Sequence, residues 1–132
     1  MKIDINYIEN ILTAISDCDN NDCPSLHYIC NTLNIANDEL SMSILKFHLS
    51  ILRDGGFLES QSQDFGIMKG MNGNIILNSS VGLRLTFNGH NLLESISNKT
   101  LWNKTKSGLK EISVETLKQI PAIALNWLLS LK

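Results

Sequence analysis

The 132-residue sequence holds only three cysteines, and a small odd number does not build the disulfide framework of a secreted mini-domain. No apolar run approaches the roughly 18 residues that a membrane-spanning helix needs. Met1 and Lys2 lead directly into an amphipathic pattern, so we expect no secretory signal. These absences predict a cytoplasmic protein that does not bind membranes.

Catalytic signatures are also missing. No serine lies in a nucleophile elbow, and Gly70 and Gly73 fall in a predicted hairpin rather than before a helix with the Lys-Ser/Thr pair of a phosphate loop. His48 projects to the apolar face of a predicted helix, and His90 falls in the first turn of another, where packing or capping is the usual role. We therefore expect no enzymatic activity and no cofactor.

A strong excess of one charge is absent from the whole chain, but not from its halves. The net charge is −2, with 18% charged and 43% hydrophobic residues, a composition typical of a globular domain. The segment 1–64 carries three Lys/Arg against ten Asp/Glu, a net charge of −7. The segment 65–132 carries eight against three, a net charge of +5. Such asymmetry indicates an interaction surface or two faces of opposite sign.

The most regular pattern runs from Asp38 to Asp54 and is closed by Gly55 and Gly56, which suit a helix C-cap. At about 100° per residue it predicts one amphipathic helix. Its predicted outward face carries Glu39 with Lys46 and other polar residues. Its predicted buried face comprises Leu40, Ile44, Phe47, His48, Ile51 and Leu52.

The elements around this helix follow the order of a winged helix-turn-helix, in which it would be the recognition helix. Asp4 can cap a first helix that ends near Ile15, and Ser25 can cap a short second one. The turn from Gly70 to Gly73 is the expected wing tip. The predicted strands are Phe57–Gln61, Asn74–Leu77 and Leu83–Phe87. The predicted fold class is mainly α with a small antiparallel β-hairpin, its winged core spanning residues 1–87.

Residues 88–132 are predicted to form a helical extension. Asn88 can cap its first helix, and further helices are expected over about Lys99 to Lys110 and Val114 to Leu131. Pro121 predicts a kink or a restart in the last one. The wide apolar stripe of that helix predicts packing on the core or a homodimer contact. The candidate dimer contacts are Leu117, Ala124, Trp127, Leu128 and Leu131.

Several segments resemble a family of small phage and prophage proteins known only as a domain of unknown function. They include MKIDINYIENILTAI, FHLSILRDGGFLES, LRLTFNGHNLLESI and LWNKTKSGLKE, in the order of the family and over most of the chain. The combination of LT-x-x-GH-x-x-L with WNK-x-K is unusual. The resemblance implies a winged-helix core with a C-terminal helical extension and an origin in mobile-element genomes. It implies no catalytic or binding residues.

Duplex DNA is the partner that this fold predicts, because phosphates attract Lys/Arg and polar side chains read base edges. The expected function is that of a DNA-binding transcriptional regulator of a phage or prophage. The candidate contacts on the central helix and wing are Ser43, Lys46, Ser50, Arg53, Lys69, Asn72 and Asn74. Asp38 and Glu39 oppose this interpretation, because they place two carboxylates where a recognition helix usually meets DNA. The alternative is a winged-helix module that binds a protein through its acidic half.

A basic patch and a set of zinc-type residues each allow a functional and a purely structural interpretation. The basic patch Lys99, Lys104, Lys106 and Lys110 could hold phosphates or meet the acidic half of a second copy, and it could equally be a solvated face. Zinc-type ligands occur at Cys18, Cys23, His27 and Cys30. Their spacing lacks the close C-x2-C pair of a zinc knuckle, so core or loop thiols are the preferred interpretation.

Overall fold

The computed structural model describes residues 2–18, 24–106 and 113–130. They form a mainly helical protein with two small antiparallel sheets, as predicted at this level. The helices are α1 (Ile5–Ser16), α2 (Leu26–Leu33), α3 (Glu39–Asp54), α4 (Phe87–Ser97), α5 (Lys99–Lys106) and α6 (Val114–Ser130). The strands are β1 (Leu58–Ser60), β2 (Ile67–Lys69), β3 (Ile75–Leu77) and β4 (Leu83–Leu85).

The first helices begin where the sequence predicts. The Asp4 side chain accepts hydrogen bonds from the backbone N–H groups of Asn6 and Tyr7, at 3.0 and 3.3 Å, and so caps α1. Ser25 occupies the N-cap position of α2, but its side chain makes no capping hydrogen bond. The C-terminus of α2 is capped by Asn34, which adopts the left-handed conformation with φ of 57°.

The bounds of α3 agree with the prediction, but its predicted buried face was partly wrong. Leu40 is 69% exposed, and Ile44 and Phe47 are only half-buried. The apolar residues of this helix cover too wide an arc for periodicity alone to identify the innermost part. The buried side chains of α3 are Met42, Leu45, His48, Leu49, Ile51 and Leu52.

The strands form one interrupted hairpin. β1 pairs with β4, placing Leu58 opposite Leu85, and β2 pairs with β3 inside them, placing Ile67 opposite Leu77. Between the two sheets, the Asn78 backbone N–H donates to the Gly66 carbonyl at 2.8 Å. The outer pair packs against α1 and α3, whereas the inner pair, which we call the tip hairpin (residues 67–77), extends beyond them.

The turn of the tip hairpin lies where the sequence places it. The Gly70 N–H donates to the Asn74 carbonyl at 2.7 Å, and the Gly73 N–H donates to the Gly70 carbonyl at 3.0 Å. Gly73 has φ of 78°, a conformation that favours glycine. The third strand of the prediction is shorter than expected, because Thr86 and Phe87 belong to the start of α4.

The predicted cap of α4 was wrong. Thr86, rather than Asn88, is the N-cap residue, and its hydroxyl oxygen accepts from the Gly89 N–H at 3.1 Å. The same hydroxyl donates to the Gly56 carbonyl, and the Thr86 N–H donates to the Phe57 carbonyl. Both residues are common helix caps, so the sequence did not discriminate between them. The contacts with Gly56 and Phe57 join α4 to the segment before β1.

Replacing Thr86 by alanine should therefore lower the free energy of unfolding by about 1 kcal/mol, since a helix-capping side chain is lost. Asn88→Ala is the matched control, because Asn88 is exposed inside the same first turn. It should change stability by less than about 0.5 kcal/mol. Urea unfolding followed by circular dichroism measures both, and equal losses would contradict the assignment of the cap.

The C-terminal helices pack on the core rather than standing apart from it. α4 packs against α1, and α6 packs against α4, α5 and α3. α6 runs through Pro121 as one helix, so the predicted restart does not occur. Trp102 of α5 and Leu117, Ile120 and Ala124 of α6 are buried. Within the described residues, no helix combines the length and apolar content that crossing a bilayer requires.

Candidate interaction surface

The predicted cations of α3 are engaged by the loop between β1 and β2, residues 61–66, which we call the clasp loop. The Lys46 Nζ lies 2.8 Å from the Asp64 carboxylate. The Arg53 guanidinium donates to the Gln63 carbonyl at 2.9 Å and, more weakly, to that of Ser62 at 3.4 Å. Arg53 is therefore a bridge between α3 and the clasp loop rather than an outward contact residue.

Phe65 anchors the clasp loop beneath Arg53. The guanidinium carbon of Arg53 lies 4.3 Å from the centre of the Phe65 ring, which is a cation–π distance. Phe65 has φ of 59°, which a bulky residue rarely adopts, and its side chain is fully buried. The burial of the ring offsets the backbone strain and holds the loop against α3.

The N-terminal end of α3 is anionic. The Asp38 carboxylate accepts from the Ser41 N–H at 2.7 Å and from the Ser41 hydroxyl at 3.1 Å. These hydrogen bonds hold the pKa of Asp38 below its usual value, so this carboxylate is charged at neutral pH. Glu39 and Ser43 are exposed beside it, whereas Ser50 is half-buried. Ser43, one of the residues predicted to touch DNA, thus lies one helical turn from the Glu39 carboxylate.

The tip hairpin presents an apolar outer face. Met68 and Ile76 lie opposite each other in the register, and they are 46% and 48% exposed. Met71, at the turn, is fully exposed. The alternate residues Ile67, Ile75 and Leu77 are half-buried and pack toward the core. Lys69, Asn72 and Asn74 are exposed at the same end of the hairpin.

A side-chain hydrogen bond ties the hairpin to α3. The Asn37 side-chain amide, in the turn before α3, donates to the Ile75 carbonyl at 3.1 Å. The Gly70 N–H bonds the Asn74 carbonyl, and hydrogen-bonded pairs alternate along an antiparallel ladder, so the neighbouring pair Lys69–Ile75 is a non-hydrogen-bonded one. The Ile75 carbonyl therefore points to the open edge of β3, where Asn37 meets it. We use the name α3–hairpin face for the exposed residues of two elements that Asn37 joins. These residues are Glu39, Ser43 and Lys46 of α3 with Met68, Met71 and Ile76 of the tip hairpin.

His48 is a core histidine, as predicted. It is 2% exposed, its Nδ1 lies 2.8 Å from the Ile44 carbonyl, and its Nε2 accepts from the Asp4 backbone N–H at 3.0 Å. Its ring stacks on Tyr7 with centroids 4.4 Å apart. Burial, with a smaller contribution from Cys30, raises the pKa of Tyr7 to about 12, so the phenol stays protonated. Both His48 nitrogens are thus occupied, Nδ1 within α3 and Nε2 at the N-cap of α1, so that Nε2 joins the two helices.

The zinc-type residues are not brought together where the structure describes them. His27 is exposed and 3.4 Å from the Asn31 amide, Cys18 is half-buried, and Cys30 is buried in the core. Burial raises the pKa of the Cys30 thiol, which disfavours the thiolate that a metal needs. Cys23 lies outside the described residues. Within the described residues, no group of three or more potential ligands could hold a metal ion.

The basic patch is described only in part. Lys99 begins α5 and forms an ion pair with Glu9 of α1, at 3.0 and 3.2 Å. Lys104 and Lys106 lie on α5, but their side chains are outside the described part of the structure, as is the whole of Lys110. The ion pair joins the start of α5 to α1, and the Lys99 side chain stays 68% exposed.

The candidate dimer contacts are also described in part. Leu117 and Ala124 are buried within the single chain. Trp127 and Leu128 lie on α6, with side chains outside the described part, and Leu131 lies beyond it. Leu125 and Leu129 of the same helix are each 55% exposed.

Comparisons with known proteins agree with the resemblance seen in the sequence. A family model described as "Hypothetical protein (DUF2513)" matches residues 2–115. The chain belongs to this family. The expectation of a family known only as a domain of unknown function is thus confirmed, while the phage origin stays a prediction.

One relative of this DUF2513 chain is an uncharacterized protein of Haemophilus influenzae (strain ATCC 51907 / DSM 11121 / KW20 / Rd). It is 27% identical over 90 residues, which cover 65% of this chain and 69% of the relative. No solved structure matches the chain. The α3–hairpin face therefore has to be interpreted from its own geometry.

Proposed function

We propose that this protein is a non-enzymatic winged-helix module that binds a partner protein through the α3–hairpin face. The order of α1, α2, α3 and an interrupted hairpin supports the winged-helix assignment. In that fold α3 takes the place of the recognition helix, and the tip hairpin takes the place of the wing. The clasp loop, which lies between β1 and β2, would then hold the base of the wing against the recognition helix through its contacts with Lys46 and Arg53.

The observation that carries this proposal is the apolar outer face of the wing. Met68 and Ile76 form a cross-strand pair directed away from the core, and Met71 lies beyond them at the turn. Methionine is enriched at protein–protein interfaces, and its flexible thioether adapts to irregular surfaces. Contacts with phosphates instead need Lys/Arg or polar donors. The wing therefore suits a protein better than it suits a DNA backbone.

The charges around α3 support the same conclusion. Lys46 is neutralised by Asp64, and Arg53 is occupied by the clasp loop. Asp38 and Glu39 leave the N-terminal end of α3 negative. Three other Lys/Arg side chains in the described residues are also paired with carboxylates. These pairs are Arg84–Glu59, Lys99–Glu9 and Lys118–Glu115.

Site-specific photo-crosslinking tests the proposal. A photoreactive amino acid at position 71 should crosslink a partner protein in cells that express this chain. The same group at position 125 is the matched control, since Leu125 is an exposed apolar residue outside the α3–hairpin face. The purified partner should lose binding to the double variant Met68→Ser, Ile76→Ser and keep binding to Leu125→Ser. Crosslinks of equal yield from both positions, or retained binding by the double variant, would refute the proposal.

DNA-binding regulation of a phage or prophage is the second candidate, favoured by the exposed polar residues Lys69, Asn72 and Asn74 at the wing tip. The ion pair of Lys46 does not exclude it, because an exposed pair contributes only about 0–1 kcal/mol and can open. In a winged-helix complex these residues would contact the backbone beside the groove that α3 enters.

Fluorescence anisotropy with random duplex DNA distinguishes the two candidates. We expect binding weaker than a Kd of about 10⁻⁴ M at physiological salt, because few cations face outward near α3. Tighter, steeply salt-dependent binding would support the DNA candidate instead. In that case Lys46→Glu with Lys69→Glu should reduce the salt slope by about two, at about one per lost phosphate contact. Lys118→Glu, on α6, is the control.

A further inference from the structure

A groove between α4 and α6 lies apart from the α3–hairpin face. It encloses about 430 Å³, which is within the range of about 300–1,000 Å³ typical of small-molecule sites. Its lining residues are Asn91, Glu94, Ser95, Asn98, Pro121, Ala122, Ala124 and Leu125. The small residues at positions 122 and 124 leave space that larger side chains would fill.

The two walls of the groove differ in chemistry. The α6 wall is apolar, with Ala124 buried at its base and Leu125 half-open at its rim. The α4 wall carries the Glu94 carboxylate beside Asn91 and Ser95. The Ser95 hydroxyl donates to the Asn91 carbonyl at 2.9 Å, so its hydrogen is occupied and its oxygen can still accept. One wall thus offers hydrogen-bond acceptors, and the other offers an apolar surface.

The charge of the lining side chains favours a ligand that is a cation and a hydrogen-bond donor. The lining residues include one carboxylate, Glu94, and no Lys, Arg or His among those described. An anion would meet Glu94 without a compensating cation. A protonated amine would be attracted by Glu94 and could donate to the nearby acceptors.

We propose that this groove binds a small molecule that carries a protonated amine on an aliphatic stem. The ammonium group would lie at Glu94, and the stem would pack along Ala122, Ala124 and Leu125. A second charge at the far end of the stem would face the apolar wall and weaken binding. The ligand class is therefore an aliphatic monoamine rather than a diamine or a fatty acid.

NMR titration of the isotope-labelled protein with hexylamine, hexanol, hexanoate and hexamethylenediamine tests the proposal. Hexylamine should shift the amide signals of Ser95 and Leu125 with a Kd on the order of 1 mM, a value reasonable for so few ligand atoms. Hexanol and the diamine should bind about five-fold more weakly, and hexanoate should not bind measurably.

Two variants assign the binding to the two walls. Glu94→Gln should weaken hexylamine about five-fold and leave hexanol unchanged, because it removes only the charge. Ala122→Phe should abolish binding of both, because its ring fills the groove. Glu115→Gln removes an exposed carboxylate of α6 outside the groove, and it should have no effect.

Equal affinity for hexylamine and hexanol, or unchanged hexylamine binding by Glu94→Gln, would overturn the proposed amine specificity. Shifts absent from the groove for all four probes would overturn the site itself. Neither result would bear on the α3–hairpin face, because that face shares no residue with the groove.

Discussion

Replacing Gly89 by alanine should reduce the free energy of unfolding by about 3 kcal/mol or more, because the added methyl group overpacks a rigid contact. At an ordinary helical site the same substitution would stabilise by about 1 kcal/mol. Here a Cβ would lie 2.0 Å from the Phe57 carbonyl oxygen. That carbonyl also accepts from the Thr86 N–H at 3.0 Å, so it cannot move away without breaking a hydrogen bond.

Urea unfolding of Gly89→Ala measures this loss, and the midpoint should fall without a large change in slope. Asn88→Ala is again the appropriate control, because it adds no atom at the contact and lies one residue away in the same helix. A Gly89→Ala protein as stable as the wild type would show that α4 and the Phe57 backbone can separate at little cost.

The same contact explains the motif LT-x-x-GH-x-x-L that distinguishes the family resemblance. Leu85 is buried, Thr86 caps α4, and Gly89 permits the close approach to Phe57, while the last motif position, Leu93, is half-buried against the core. His90 is exposed, and within the described residues no contact of its side chain accounts for its place in the motif. Leu85, Thr86 and Gly89 therefore serve the junction of β4 and α4 with the segment before β1.

Helical periodicity and caps were sufficient to predict most helix positions. α1 and α3 begin at acidic caps, and a capped helix leaves a local signature that no distant contact has to supply. The choice between Thr86 and Asn88 was different, because it depends on the Gly56 and Phe57 carbonyls. Such contacts join residues about 30 positions apart, and a single sequence does not display them.

The candidate surface was predicted less well than the fold. Lys46 is exposed on α3, as expected, but Arg53 is half-buried, and the clasp loop that engages both is irregular and has no periodicity. The apolar outer face of the tip hairpin had a readable signal, since Met68 and Ile76 alternate with inward neighbours in two short strands. Only the charged and polar residues of that hairpin, such as Lys69, were predicted as contacts, and so the apolar outer face was missed.

His48→Ala should be the second severe change, lowering the free energy of unfolding by about 3 kcal/mol. The substitution leaves a cavity in place of a buried ring and deprives the Asp4 N–H of its acceptor. It also removes the ring that stacks on Tyr7. Chemical unfolding at neutral pH gives the loss directly. His27→Ala, at an exposed histidine of α2, should be close to neutral.

Two further substitutions separate the hydrogen bond from the packing. His48→Leu preserves apolar volume but offers no acceptor to Asp4, whereas His48→Gln supplies an acceptor with less ring contact. Gln should recover about 1 kcal/mol relative to Ala if the hydrogen bond matters. If Leu recovers more than Gln, packing dominates and the bond is incidental. The distinction bears on function, because His48 joins α1 to the helix that carries the proposed interface, and a loosened α3 would displace Lys46 and the clasp loop together.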